Sequence, residues 1–369
     1  MLPPAPEATS TPPAGGAPAR RSRWWLLLVV GGALAAVLVV AAVVPAPYVA
    51  IRPGSAWPAA ESITVTDAKS FPPDASVAFT TVRVGPTSFL EAIAGWLDDD
   101  VDVLPRARVY GDRSASENRR YNAQLMDTSK MTAITVAEEA LGLDVKVKTS
   151  GTVVRAIAKD SPAAKVLQQD DVIVAVDGKP IDEPGELGTL LQPGGPGATH
   201  QLTVERPPGG TQHVTVSITT IADPSDASRA IIGIQPEDRI VSYDFPIDVT
   251  IDSGNVGGPS AGLAFTLGVM DQLTPGALTG HHKVAVTGTM SLDGHVGPVG
   301  GGAQKAITVR NAGYDTFLVP SDELAEVKEA VGDDLRIIPV DTLDEALTAL
   351  ADLGGNARTL ALPAASSGS

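Results

Sequence analysis

Two hydrophobic patterns stand out along the chain. Near its start, Leu26 to Val44 contains no charged residue, a run of about 28 Å as helix at ~1.5 Å per residue, enough to cross a bilayer. Arg20, Arg21 and Arg23 lie just before it, followed by Trp24-Trp25. Basic residues favour the cytoplasmic side and tryptophan favours the interface. The pattern therefore predicts a single-pass helix over 24–45, with the N-terminus cytoplasmic and the later domains extracytoplasmic. A cleaved signal peptide is the rival, with Val44-Pro-Ala46 as its cleavage site, although the apolar run is long for one. Residues 1–23, rich in proline, alanine, glycine and threonine, are expected to be a disordered tail.

The second pattern is a mixture of short alternating and helical periods. In the region 46–134, Ser76 to Val84 predicts a strand, Phe89 to Leu97 a helix ending at Asp98-Asp-Asp100, and Ser114 to Met131 a polar helix. The aspartate run spells out no ring of oxygen ligands and is expected to be a solvated loop. No chemistry is assigned to this region. Over 135–222 come strands Val145–Lys148 and Gly151–Ile157, a helix with Ser161 as cap, a hairpin on Asp177-Gly178, a helix Gly185–Leu191 and a hairpin turning at 207–210.

Over 223–353, Phe245 to Asp252 alternates as a half-buried strand, and Ala261 to Met270 is apolar all round, as in a buried helix. Lys283–Thr289 and Leu292–Val299 are expected to pair through Asp293-Gly294. A helix Ala303–Asn311 stops at Gly313. A strand Tyr314–Val319, a helix capped by Ser321, a strand Leu335–Val340 and a last helix capped by Asp341 follow. The fold class is α+β. Residues 354–369 are expected to be a small-residue tail.

Composition narrows the function. A net charge of −16 argues against nucleic acid, whose phosphates need clustered lysine and arginine. With no cysteine there are no disulfides or thiolate metal sites. With 43% hydrophobic and 19% charged residues, the chain can bury sizeable cores.

Candidate chemistry gathers at two glycine corners, Gly257-Gly258-Pro259-Ser260 and Gly300-Gly301-Gly302. Ser260 is expected on a strand-to-helix turn, where unpaired N–H groups point at whatever its hydroxyl attacks. Pro259 has no N–H, so the N–H groups of Gly258 and Ser260 are the candidate oxyanion donors. A serine needs a base to take its proton. The five histidines lie outside any nucleophile motif, whereas Lys305 follows the second corner. Burial would have to lower its pKa for it to serve as that base. A helix cap is the ordinary role of a serine in such a turn. A phosphate loop fails on spacing, since Lys305 does not follow the last glycine and Ala306 replaces the hydroxyl.

Gly258-Pro-Ser-Ala-Gly262 and the stretch Thr287-Gly288 through Gly300-Gly301 to Lys305 resemble the paired motifs of the Lon proteolytic domain, a Ser-Lys peptidase family. The resemblance covers roughly 223–353. It implies Ser260 as nucleophile, Lys305 as general base and Thr287 as the lysine's hydrogen-bond partner, with no cofactor or metal. The departure is Gly257, where energy-dependent Lon proteins commonly carry an acidic residue. The region 135–222 resembles a bacterial PDZ domain. This implies capture of an extended peptide as an added strand, with Leu141-Gly142-Leu143 as the carboxylate-binding loop or, equally, as a helix C-cap.

Together the resemblances imply a membrane-anchored, ATP-independent serine endopeptidase acting on unfolded protein or peptide substrates, and no nucleotide-binding motif occurs. Lon-type domains form rings, so a homo-oligomer is expected. The alternative is a PDZ-based peptide-binding scaffold with an inactive or self-processing peptidase domain.

Overall fold

The structure is a computed structural model and describes residues 24–71, 77–111, 113–206, 213–224 and 226–363. The expected tail over 1–23, the hairpin tip at 207–210 and the last residues 364–369 lie outside the described residues. The chain divides into two units, one made of 1–51 and 84–111, the other of 52–83 and 112–369.

In the first unit, helix α1 spans Trp24–Val43, as the apolar run predicts. Among the described residues no helix is long and apolar enough to cross a membrane. The side chains of residues 26 and 27 fall outside the description. Helix α2, Phe89–Gly95, starts at a capping box in which the Ser88 hydroxyl accepts from Glu91 N–H and the Glu91 carboxylate accepts from Ser88 N–H. Residues Tyr48–Ile51 pair antiparallel with Asp102–Pro105. Helix α3, Arg106–Tyr110, follows.

The second unit opens with α4, Ala115–Ala140, begun by a capping box of Ser114 with Glu117. It runs nine residues beyond the expected polar helix because its second half changes character: Met126, Ala133, Ile134 and Ala137 repeat at helical spacing and are buried in the largest core. They pack with α6, Gly262–Leu273, every residue of which is buried. Beneath lies a run of parallel strands: Arg336–Pro339 pairs with Thr316–Val319, that with Val284–Val286, and that with Ala78–Phe79.

Alternate residues of these strands serve two cores, as a period of two requires. Val284, Val286 and Leu318 join α6 and α9 (Leu343–Asp352). Ala285, Phe317 and Val319 join α7 (Gly302–Asn311) and α8 (Leu324–Val331). The result is a mixed α+β domain whose parallel strands carry helices on both faces.

Several local expectations shift. Val284–Val286 belongs to the parallel strands, so the hairpin over Asp293-Gly294 is only Thr289–Met290 with Val296–Gly297. Strand Val249–Ile251 pairs with Ile63–Val65. Thr342, not Asp341, caps α9 by accepting from Glu345 N–H. Ser321 makes no cap hydrogen bond, since α8 is preceded by the 3-10 turn Ser321–Glu323. The segment after Leu353 is no loose tail up to Leu362: Ala357 is buried, Leu360 and Leu362 pack on the core, and Asn356 Nδ2 donates to Pro275 O.

The PDZ-like region has its own core, with Val154, Ile173, Leu187 and Leu202 at its centre. The helix α5, Glu186–Leu190, lies where expected. The two expected strands 145–148 and 151–157 are one continuous strand, Lys146–Ile157. Along its length, from Ile157 to Lys146, it pairs antiparallel with Ile234–Asp244. The Asp177-Gly178 turn joins Val172–Val176 to Lys179–Pro180 as expected, while Ser161 makes no cap hydrogen bond.

Candidate active site

Ser260 lies in the turn just before α6 and is partly exposed. The turn is held from behind by α4, a contribution that no motif in the polar sequence of that helix announces. Asn122 O accepts the Gly258 N–H at 2.8 Å, and Ser129 Oγ donates to Pro259 O at 3.1 Å. The helix also passes close to Gly257: a Cβ built there would sit 3.1 Å from Asn122 Cβ and 3.3 Å from the Asn122 backbone. The place where related motifs carry an acidic side chain is therefore crowded by α4.

Gly258 consequently cannot act as an oxyanion donor in this arrangement, because its N–H is already engaged. Among the described residues no acceptor takes the N–H of Ser260 or of Ala261, whereas Gly262 N–H donates to Pro259 O and Leu263 N–H to Gly288 O. The N–H groups of this turn that remain without an acceptor are thus those of Ser260 and Ala261, where Gly258 and Ser260 were expected.

Lys305 stands in the first turn of α7, 2% exposed. Burial lowers its pKa from the usual 10.5 to about 8, against an opposing pull from the Glu323 charge. Its Nζ donates to Thr287 Oγ1 at 3.1 Å, and Thr287 Oγ1 donates to Ser260 O at 3.2 Å. Gly288 N–H donates to the same carbonyl at 3.0 Å. Lys305, Thr287 and the Ser260 turn therefore form one chain of contacts. Among the described residues no hydrogen bond joins Lys305 Nζ to Ser260 Oγ directly.

Residues 230–352 match the C-terminal proteolytic domain of Lon protease (S16). This part of the chain is similar to the serine-peptidase domain of Lon proteases. Lon protease 1 of Bacillus subtilis (strain 168) is 34% identical over 119 residues, which is 31% of this chain and 15% of that protein. The Lon protease of Vibrio parahaemolyticus is 39% identical over 93 residues, 24% of this chain and 12% of that protein. The chain thus spans only a small part of the length of the curated relatives it matches.

Residues 139–220 match the PDZ domain. The PDZ domain of the SdrC-like protein from Listeria monocytogenes is 26% identical with a TM-score of 0.22, covering 25% of this chain and 92% of that one.

In the PDZ domain the expected carboxylate loop is used differently. Leu141 N–H donates to Ala137 and Glu138 carbonyls, Gly142 N–H to Glu139 O and Leu143 N–H to Glu138 O. Leu141 is the C-cap of α4, and Gly142, at φ +84°, follows it in the left-handed conformation that ends the helix. The helix carbonyls leave none of the three N–H groups for a peptide carboxylate. Of the two readings that the sequence allowed for Leu141-Gly142-Leu143, the structure adopts the cap.

A cleft of about 1340 Å³ opens beside that cap, where the PDZ and Lon-type domains adjoin. Val145–Thr149, Asp182–Gly185 and Pro236–Asp238 line one side, and Thr132 of α4 with Met290–Asp293 of the peptidase hairpin the other. Among the described residues no group of three or more histidines and carboxylates gathers as a metal site.

Proposed function

We propose that this chain is a membrane-anchored, ATP-independent serine endopeptidase that cleaves unfolded or flexible polypeptides outside the membrane, with Ser260 as nucleophile and Lys305 as general base. The observation that carries this reading is the buried Lys305 amine, lowered to about 8 and linked through Thr287 to the Ser260 turn. A lysine in that state is neutral for part of the time at neutral pH, so it has a lone pair to offer.

In this mechanism Lys305 Nζ takes the proton from Ser260 Oγ as Oγ attacks the scissile carbonyl carbon. The oxyanion is held by the N–H groups of Ser260 and Ala261. The lysine returns its proton to the leaving amine, and water then hydrolyses the acyl-enzyme, again with Lys305 as base. In this scheme a direct Ser260–Lys305 hydrogen bond, absent from the free chain, forms when substrate is bound, as catalytic hydrogen bonds commonly do.

Two features support the rest of the proposal. The side chains of α1 that are described, from Leu28 to Val43, are mostly exposed apolar groups, which suits a lipid surroundings better than water. The engaged N–H groups of Leu141, Gly142 and Leu143, and the cleft between the two domains, favour an internal extended segment over a free C-terminus as what the PDZ side receives.

The test is cleavage of casein and of a stably folded protein by the full chain, Ser260→Ala and Lys305→Ala. Casein cut by the wild type alone, with the folded protein left whole, is the expected result. Equal cleavage of the folded protein overturns the substrate class. A wild type that binds peptides without ever cleaving them shifts the reading to a PDZ-based scaffold.

A further inference from the structure

The glycine loop that delivers Lys305 is clasped from the side by two glutamates at the start of α8. Glu323 is 7% exposed, and its carboxylate accepts the Val299 N–H at 3.0 Å. Its other oxygen lies against Gly302, where an added Cβ would come within 2.6 Å of it. Gly302 thus opens the space into which the carboxylate reaches. Glu326, exposed and one turn further, accepts the Ala303 N–H at 3.0 Å. The two glutamates therefore bracket the corner from Val299 to Ala303 that sets where α7, and Lys305 with it, begins.

A neutral amide could satisfy the Val299 N–H equally well, so the hydrogen bond alone does not explain a charged group in so buried a place. The charge has a second partner. Burial raises the Glu323 pKa above the usual carboxylate value; the Val299 hydrogen bond and Lys305 favour its ionised form, and Glu326 and Asp322 oppose it. On Lys305 the charge that acts is Glu323. Burial alone would lower the amine further, and a base whose pKa falls far below ambient pH has little drive to take a serine proton.

We propose that Glu323 is a positioning residue for Lys305: its buried carboxylate, bonded to the Val299 N–H and seated over Gly302, fixes the loop that carries the lysine and sets a negative charge to act on the amine. The inference rests on the Ser260–Lys305 reading. Glu323 itself touches neither substrate nor nucleophile in this scheme.

Glu323→Gln keeps an oxygen for the Val299 N–H and removes the charge. Without the negative neighbour the lysine loses its proton more easily. The acidic limb of kcat/KM on an unfolded casein peptide, whose midpoint in the wild type lies near pH 8, then moves to lower pH by roughly half a unit to one unit. Glu323→Asp keeps the charge but draws back the oxygen, so it leaves the limb in place and lowers kcat.

The same shift is read without turnover from the pH dependence of the Lys305 13Cε resonance in the Ser260→Ala protein. An unmoved resonance and an unmoved limb in Glu323→Gln overturn the inference. So does a Glu323→Asp limb that moves as far as that of Glu323→Gln. If the wild type proves inactive, the peptidase reading falls, and the resonance alone still decides whether Glu323 governs the amine.

Discussion

Lys305 Nζ donates to Thr287 Oγ1 at 3.1 Å, and the same hydroxyl donates onward to the Ser260 carbonyl at 3.2 Å. Thr287 is completely buried. Its hydroxyl thus holds the amine on the serine's side of the core, and its own proton is committed to the turn. Thr287→Val keeps the shape and removes the hydroxyl, leaving a buried amine without an acceptor at a cost of about 1–3 kcal/mol. If that cost falls on the positioning of the base, kcat drops ~10–100-fold while KM holds. Thr287→Ser, which keeps the hydroxyl, stays within a few-fold of wild type. Steady-state kinetics on an unfolded peptide checks both, and a fully active valine variant would remove Thr287 from the site.

Gly257 offers a second test, because its surroundings crowd a side chain of the kind the related motifs carry there. A Cβ at this position meets Asn122 Cβ at 3.1 Å and the Asn122 carbonyl oxygen at 3.3 Å. That oxygen is the one holding the Gly258 N–H at 2.8 Å. Gly257→Asp needs Asn122 or the turn to give by a few tenths of an ångström, which strains the hydrogen bond that sets the turn. The expected outcome is a loss of kcat/KM of at least ~10-fold, with far-ultraviolet circular dichroism unchanged. Gly257→Ala falls between the two. An aspartate variant as active as wild type would mean that the turn is not set by α4.

What was legible in the sequence, and what was not, follows from the range of the forces involved. The Ser260 turn, the Lys305 corner and Thr287 were readable because glycine corners and an apolar helix leave local signatures. The role of α4 was not. Asn122 and Ser129 act through a backbone carbonyl and a single hydroxyl, which any polar residue pattern conceals. Glu323 was hidden for a similar reason: an acidic residue at a helix start reads as dipole compensation, and only the fold brings it to Val299 and Gly302. Gly258 was misjudged as a donor because its partner, Asn122, lies far away in sequence. The Leu141-Gly142-Leu143 motif fits a peptide loop and a helix cap equally well, and the length of α4 decided between them.

The apolar helix α1 carries the next test. Trp24, Trp25, Leu28, Val30, Leu34 and Val39 are more than half exposed, and no polar face interrupts them. A chain made in bacterial cells with this segment is expected to sediment with membranes and resist extraction at alkaline pH, and to be released by detergent. A version starting after Val44 should stay in the supernatant. Recovery of the full chain in the aqueous fraction would remove the membrane from the proposal.

Stability should depend on pH in a way set by carboxylates away from the site. Asp271 in α6 is 2% exposed and Glu138 in α4 fully buried. Burial raises each to about 7, from usual values of 3.8 and 4.5. Between those values and 7 the folded chain keeps protons that the unfolded chain has released. Folding is therefore stabilised below this range and progressively weakened as pH climbs through it. Lys305, lowered to about 8, acts in the opposite sense: the folded chain releases a proton that the unfolded chain keeps, so stability returns between about 8 and 10.5. Calorimetry on the Ser260→Ala protein, which avoids self-digestion, should show a Tm higher at pH 5 than at pH 7.5. Asp271→Asn should flatten that slope and raise the Tm at pH 7.5. Leu278 N–H, which the carboxylate accepts, can still be met by the amide oxygen. A Tm that rises steadily from pH 5 to 7.5 would show that these two carboxylates are ionised in the folded core.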